Sequence, residues 1–164
     1  MSTNLGPLLP AQLVQLLCGL DLRSMTEMAC VLVTQGADGY PHPAIVTAGE
    51  MIAGSPSTIR LALYAESSAS RNLRERGVAT LCLAHAGAGY YVKADAEPYA
   101  ADAPAFAGLS VFTLRPRHVL KDAEEGAEVT SGFRFRDLRG EDALLERWEP
   151  VVDALRATFT ADRV

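Results

Sequence analysis

The chain has 164 residues, of which 49% are hydrophobic and 21% are charged, and its formal net charge is -5. This length and composition fit one globular domain, residues 1–164, and differ from those of disordered or fibrous proteins. Because the balance is acidic and the lysines and arginines are scattered, we expect no nucleic-acid partner.

No apolar run approaches the roughly 20 residues that cross a bilayer. The first residues also lack the basic region and cleavage site of a secretory signal, so we expect a cytoplasmic protein with no membrane partner. Cys18, Cys30 and Cys82 lie in apolar runs without Cys-x-x-Cys spacing. That pattern favours buried free thiols, and we predict no metal site.

In the first half of the chain, leucines at helical spacing predict an amphipathic helix between Pro10 and Leu20. Two β-rich runs between residues 28 and 52 flank Asp38-Gly39, a dipeptide that tolerates the positive φ of a tight turn. We therefore expect an antiparallel hairpin there. The run TIRLALYA predicts a third strand, and SASRNLRERG predicts a helix that ends at Gly77.

In the second half, VATLCLAH and YYVKADAEPY flank the turn sequence AGAG, and GLSVFTLRPRHVLKD predicts a sixth strand. Apolar residues recur at i, i+3 and i+4 from Glu141 onward, which predicts a helical segment at about residues 141–159 that Pro150 kinks or interrupts. Six short, mostly antiparallel strands favour a mainly β protein, a small barrel with helices packed outside it.

The stretch ESSASRNL, where the third strand passes into its helix, combines hydroxyl groups with positive charge. Ser67, Ser68 and Ser70 come at the helix start, where free backbone N–H groups and the helix dipole favour an anion. Arg71 and Asn72 follow them, and the combination suits a phosphate. The same residues also fit a plain N-cap with a solvated basic face, so both interpretations stay open.

The order of these segments resembles the FMN-binding split-barrel superfamily, which includes pyridoxamine 5′-phosphate oxidase. The resemblance covers Met28 to about Asp122 and rests on VLVTQGADGYPHPAIV, on TIRLALYAESSASRNLRERGVATLCL and on YYVKADA. It implies a six-stranded antiparallel split β-barrel, about residues 28–122, with flanking N- and C-terminal helices. It also implies a homodimer that binds flavin where the two subunits meet.

The resemblance further implies which residues bind the flavin. Contacts to the phosphate would come from the second strand and the helix start, and Tyr91 and Lys93 would lie near the ring. The first group comprises Thr47, Ser67, Ser68, Ser70, Arg71 and Asn72. The chain departs from the oxidase subgroup, however, because AIVTAGE and SSA stand where that subgroup has basic residues, and LRATFTADRV lacks its substrate-binding motif. We therefore expect weaker retention of FMN, and we reject pyridoxamine 5′-phosphate oxidation as the activity.

The resemblance makes an FMN-dependent oxidoreductase that acts on an unidentified small molecule the leading hypothesis. No catalytic residue is assigned, because in such an enzyme the cofactor performs the redox step. Two alternatives stay open: a non-catalytic binding module of the same fold with weak or no flavin, and a protein that uses deazaflavin or haem. Trp148, in the C-terminal helix, is expected to pack in the core or at a dimer contact.

Overall fold

Eight antiparallel strands form one curled sheet in the computed structural model, which describes residues 1–162. The strands are β1 (Ser2–Asn4), β2 (Ala29–Gln35), β3 (Pro41–Thr47), β4 (Met51–Ser55), β5 (Thr58–Tyr64), β6 (Val78–His85), β7 (Ala88–Tyr99) and β8 (Leu109–Asp122). Their order is β3-β2-β6-β7-β8-β5-β4, with β1 beside the second half of β8. The mainly β split barrel predicted from the sequence is confirmed, with two more strands than the six expected.

The two additional strands are short. β1 pairs three residues with the end of β8, from Ser2 opposite Asp122 to Asn4 opposite Leu120. β4 follows β3 after a tight turn, so a run that looked like one strand is two. Strands this short have too few residues for an alternating pattern to stand out.

The hairpin and helix signals of the first half are confirmed. β2 and β3 are joined by a turn in which Gly39 has φ +83° and the Gly36 N–H donates to the Tyr40 carbonyl at 2.9 Å. Helix α2 (Ser68–Arg76) ends at Gly77, which has φ +66°. Both glycines occupy the left-handed region that side chains disfavour, which is why the sequence places glycine there.

The barrel interior holds the main hydrophobic core. Alternate residues of β2, β5, β6 and β8 point inward, and Leu32, Leu61, Leu81 and Phe112 are all buried there. Helix α1 (Ala11–Leu16) is shorter than predicted, and its Leu13 packs into the same core.

Helix α3 (Glu141–Ala161) packs on the outer side of the barrel against β4 and β5. It continues through Pro150 and does not begin again there, so the expected interruption is absent. Its buried residues are Leu144, Leu145, Trp148, Val152, Leu155 and Thr158, which follow the predicted apolar spacing. None of the helices in residues 1–162 is long and apolar enough to cross a membrane.

Two glycines of the barrel wall let α3 approach closely. A Cβ added at Gly49 would lie 2.1 Å from the ring of Trp148, and one added at Gly54 would lie 2.4 Å from the ring of Phe159. Such distances are far inside van der Waals contact, so both rings lie directly against backbone. The absence of a side chain at these two positions sets where α3 lies.

A buried arginine holds the end of α3. Arg60 of β5 is 2% exposed, and its Nε donates to Thr158 Oγ1 at 3.1 Å while Nη1 donates to Thr113 Oγ1 at 2.7 Å. Its Nη2 pairs with the carboxylate of Asp162, and its guanidinium lies 4.0 Å from the ring centroid of Tyr99. A buried charge needs this many partners, so Arg60 ties the helix end to the sheet.

The turn between β3 and β4 closes on a carboxylate. The Glu50 N–H donates to the Thr47 carbonyl at 3.1 Å, while Glu50 Oε2 accepts from the Thr47 N–H at 2.7 Å and from its hydroxyl at 2.8 Å. Burial raises the pKa of Glu50, although these two hydrogen bonds oppose the shift.

The cysteines of the described residues are free thiols. Cys30 is buried in the barrel interior, where burial raises the pKa of its thiol to about 12. Cys18 and Cys82 are only half-buried. The predicted burial therefore holds fully for Cys30 alone.

We expect Gly49→Ala to lower the free energy of unfolding by about 1–3 kcal/mol, because the added methyl group overpacks against Trp148. Gly89→Ala is the matched control, since its Cβ would be no closer than 3.5 Å to a neighbour. Urea denaturation measures both. Equal stability of the two variants would show that the Trp148 ring does not lie on Gly49.

A second expectation concerns pH. Because the folded-state pKa of Glu50 is raised, the unfolded chain loses this proton first, and the contribution of Glu50 to stability falls as the pH rises from about 4 toward 7. Glu50→Gln keeps an acceptor for Thr47 but cannot ionise, so its stability relative to the wild type should rise over that range. The exposed Glu125→Gln variant controls for lost charge. A difference that does not change with pH, measured by urea denaturation, would contradict the burial of Glu50.

Candidate functional site

The start of α2 is built as an N-cap. Ser67 Oγ accepts from the Ser70 N–H at 3.1 Å, and the Ser67 carbonyl accepts from the Arg71 N–H at 3.1 Å. Arg74, one turn later, donates to the Ala65 carbonyl at 2.8 Å and so holds the loop that leads into the helix. The plain-cap interpretation therefore accounts for Ser67.

Two of the predicted phosphate ligands at this helix are buried and point away from solvent. Ser70 donates its hydroxyl to the Tyr64 carbonyl at 2.7 Å, and Asn72 donates Nδ2 to Thr34 Oγ1 at 3.0 Å. Ser68 and Arg71 are exposed. The groups free for a ligand here are thus the first backbone N–H groups, Ser68 and Arg71.

A cavity of about 540 Å³ lies on the outer side of the barrel, where the ends of β3 and β5 meet α3. The 123–140 segment, which joins β8 to α3, covers part of it. The lining residues are Thr47, Gly49, Glu50, Ala62, Tyr64, Leu109, Phe135, Arg136, Asp137, Leu138, Arg139, Leu144, Arg147, Trp148 and Val151. Five separate parts of the chain meet at this cavity: the β3–β4 turn, β5, the start of β8, the 123–140 segment and α3.

One wall of the cavity is apolar. Trp148 and Val151 of α3 line the cavity together with Leu109 of β8, and the ring of Phe135 lies 5.9 Å from that of Trp148 at an interplanar angle of 45°. Trp148 is 7% exposed, so it packs in the core, as expected, and also lines the cavity. Such a wall can accept a flat aromatic ring system.

The cavity lining is also cationic. Three arginines, Arg136, Arg139 and Arg147, face two carboxyl groups in a chain that is acidic overall. Arg139 donates to Asp137 through Nε at 3.0 Å and Nη2 at 2.9 Å, and Arg147 also pairs with Asp137. Arg136 has no ion pair among residues 1–162. The cavity therefore keeps an excess of positive charge, which favours an anionic ligand.

Glu50 is the second carboxyl group of the cavity. Its Oε2 accepts both hydrogen bonds from Thr47, which leaves Oε1 available to a ligand. The hydroxyl of Thr47, predicted to contact phosphate, is thus committed to holding Glu50 in place. The cavity combines three arginines with one fixed hydrogen-bond acceptor.

Tyr91 and Lys93 lie on β7, on the outer face of the strands β3, β2, β6 and β7. The strand pairing sets Ile45, Val31, Cys82 and Tyr91 side by side in one row across this face. Ile45 is 51% exposed and the other three are half-buried. Lys93 lies in the next row and lines a groove of about 580 Å³.

The eight residues predicted to bind cofactor therefore fall in three places. Five of them, Ser67, Ser68, Ser70, Arg71 and Asn72, lie together at the start of α2. Thr47 lies in the cavity, and Tyr91 and Lys93 lie on β7. Tyr64 links the first two places, because its side chain lines the cavity while its carbonyl accepts from Ser70. The cofactor-binding role of all eight stays a prediction.

Glu50, Tyr64 and the arginines of the cavity were not predicted from the sequence. A signal for the arginines is visible in FRFRDLRG, residues 133–140, which concentrates positive charge in an acidic chain. This segment has neither a strand nor a helix pattern, so the spacing of its apolar residues does not predict where it lies in the fold. Its position becomes clear only where Phe133 and Phe135 exchange backbone hydrogen bonds with Ala29 and Glu27, both at 3.1 Å.

Comparison with curated proteins identifies one clear relative. The chain is 34% identical to the uncharacterised protein YclD of Bacillus subtilis over 145 residues, which are 88% of this chain and 94% of YclD. No family model matches the chain.

Solved structures share the fold at low identity. A candidate pyridoxamine 5′-phosphate oxidase from Lactobacillus delbrueckii superposes with a TM-score of 0.54 at 22% identity, covering 71% of this chain and 97% of that one. The conserved hypothetical protein Rv2991 from Mycobacterium tuberculosis superposes with a TM-score of 0.52 at 15% identity, covering 77% and 94%. The chain therefore belongs to the same family as YclD, and it shares its split-barrel fold with these two solved structures.

Proposed function

We propose that the protein is an FMN-binding flavoprotein of the oxidoreductase class, and that the cavity beside α3 is its flavin site. The observation that supports this is the pairing of three guanidinium groups with an aromatic wall in one cavity. The segments AIVTAGE and SSA lack basic residues, but the 123–140 segment and α3 supply three arginines to this cavity.

The donor set suits the phosphate of FMN. Arginine presents its N–H groups in a planar fork that matches phosphate oxygens, and such charge-assisted hydrogen bonds are roughly twice as strong as neutral ones. Arg136 is exposed and unpaired within the described residues, so it can bind phosphate without breaking an existing contact. The volume of about 540 Å³ lies within the range of about 300–1,000 Å³ typical of small-molecule sites.

The apolar wall suits the flavin ring. Trp148, Val151 and Leu109 offer surface for an aromatic system, and Glu50 Oε1 offers an acceptor for a ring N–H. A bound flavin supplies hydride or electron transfer, and the protein's part is to hold the ring, place its charge and exclude water. Thr47 contributes by fixing the carboxylate of Glu50.

A homodimer is part of this proposal. The row formed by Ile45, Val31, Cys82 and Tyr91 is apolar and partly exposed, and a contiguous exposed apolar face is typical of an interaction surface. A second copy packed on this face would bury Tyr91, with Lys93 in the next row. Light scattering on the purified protein should give the mass of two chains. A mass of one chain would contradict the proposed homodimer.

The second candidate function is a binding module of the same fold without flavin. The hydrogen bonds of Ser67, Ser70, Asn72 and Thr47 favour it, because side chains predicted to hold phosphate are committed within the protein. Haem is less well supported than flavin. The described residues that line the cavity include no histidine, cysteine, methionine or lysine, and tyrosine is their one potential axial ligand.

We expect Arg136→Ala to weaken FMN binding about ten- to hundredfold, because it removes a charge-assisted hydrogen bond worth about 1.5–3 kcal/mol. The measurement is an FMN titration followed by quenching of flavin fluorescence. Arg76→Ala removes another exposed arginine, at the end of α2, and should leave the affinity within about twofold.

The double variant Ser68→Ala/Arg71→Ala distinguishes the two phosphate positions. Binding by the cavity predicts little change in its FMN affinity, whereas binding at the start of α2 predicts a large loss. If Arg136→Ala binds FMN as tightly as the wild type, the cavity is not the phosphate site. If the wild type binds no FMN at high concentration, the flavin-free binding module is the better account.

A further inference from the structure

The carboxylate of Asp137 is nearly buried, although most of its neighbours in the chain are exposed. Its side chain is 7% exposed, whereas Leu138 beside it is 94% exposed. The Asp137 side chain accepts from the Arg139 N–H at 2.8 Å, from two guanidinium nitrogens of Arg139, and from Arg147. The negatively charged side chain of Asp137 is therefore bound by the arginines of the protein's own cavity.

The partners of Asp137 keep it charged. Hydrogen bonds from Arg139 hold the pKa of this carboxyl well below its usual range, and the charge of Arg147 acts in the same direction. Asp137 is therefore an anion throughout the physiological pH range. It has the same relation to the two guanidinium groups as a bound phosphate or carboxylate would have.

The chain on either side of Asp137 is fixed by its own contacts. Upstream, Phe133 and Phe135 are fixed to Ala29 and Glu27 by backbone hydrogen bonds. Downstream, Gly140 has φ +101° with no heavy atom within 4 Å of a Cβ built there, and α3 begins at the next residue. The contacts of Asp137 with Arg139, and the Gly140 N–H that donates to the Asp137 carbonyl at 3.3 Å, lie within residues 136–140. The ion pair between Asp137 and Arg147 joins this short stretch to α3.

We propose that Asp137 is an internal anion that occupies Arg139 and Arg147 in the free protein and is displaced when an external phosphate group binds. The proposal rests on the proposed function only in taking FMN as the bearer of that phosphate. Asp137 then lowers the affinity of the cavity for anions, and its release couples ligand binding to movement of residues 136–140. The opposite role would be a positioning residue that holds the two arginines in place for the ligand.

The two roles predict opposite effects of Asp137→Asn. Removing a competing anion should tighten the binding of inorganic pyrophosphate by about tenfold or more, the equivalent of one charge-assisted hydrogen bond. Removing a positioning residue should weaken it. The probe is pyrophosphate, measured by isothermal titration calorimetry at one fixed salt concentration. Asp153→Asn is the matched control, because Asp153 pairs with Arg156 on the same helix but lies outside the cavity.

A second measurement uses the wild type, in case Asp137→Asn does not fold. If pyrophosphate displaces Asp137, the ¹³C resonance of its side-chain carboxyl group should shift as the probe saturates. A resonance that does not move at saturating pyrophosphate overturns the proposal. So does an affinity of Asp137→Asn that is unchanged or weaker, or failure of both proteins to bind the probe.

These outcomes separate this inference from the flavin proposal. Tighter pyrophosphate binding by Asp137→Asn, with no FMN binding by either protein, would support the displacement of Asp137 and contradict the proposal that FMN is the ligand. Binding of FMN to the wild type, with no gain of pyrophosphate affinity in Asp137→Asn, would support the flavin proposal and contradict the displacement of Asp137.

Discussion

The site depends on the close approach of α3 to the barrel wall. Trp148 and Phe159 lie against Gly49 and Gly54, at positions where any Cβ would collide with their rings. Arg60 then fixes the end of the helix through Thr158 and Asp162. Because Trp148 is both packed on Gly49 and part of the cavity wall, the same contact that positions the helix also shapes the site.

Two parts of the chain contribute different features to the cavity. The barrel provides a rigid wall and the turn that presents Glu50, whereas the chain after β8 provides the positive charge. The serine-rich start of α2 is largely engaged in its own structure, through the cap at Ser67 and the buried hydroxyl of Ser70. The arginines around Asp137 therefore offer an anion more positive charge than the start of α2 does. The start of α2 is the alternative anion site.

Local chemistry made much of the fold predictable. Asp38-Gly39 specifies a hairpin turn, Gly77 ends α2, and apolar residues at helical spacing place α3, because each signal acts within a few residues. The cavity was not predictable in this way. It requires β3, β5 and α3 to meet the 133–140 stretch, and no pattern within FRFRDLRG tells which surface its arginines will face. The resemblance to split-barrel proteins ends at about Asp122, before the segment that carries these arginines.

The most direct test is a crystal structure of the protein soaked with FMN. The account predicts that the phosphate lies within hydrogen-bonding distance, about 3 Å, of a guanidinium group of Arg136, Arg139 or Arg147, with the ring against Trp148. A phosphate bound by Ser68 and Arg71 at the start of α2, with no flavin in the cavity, would contradict it.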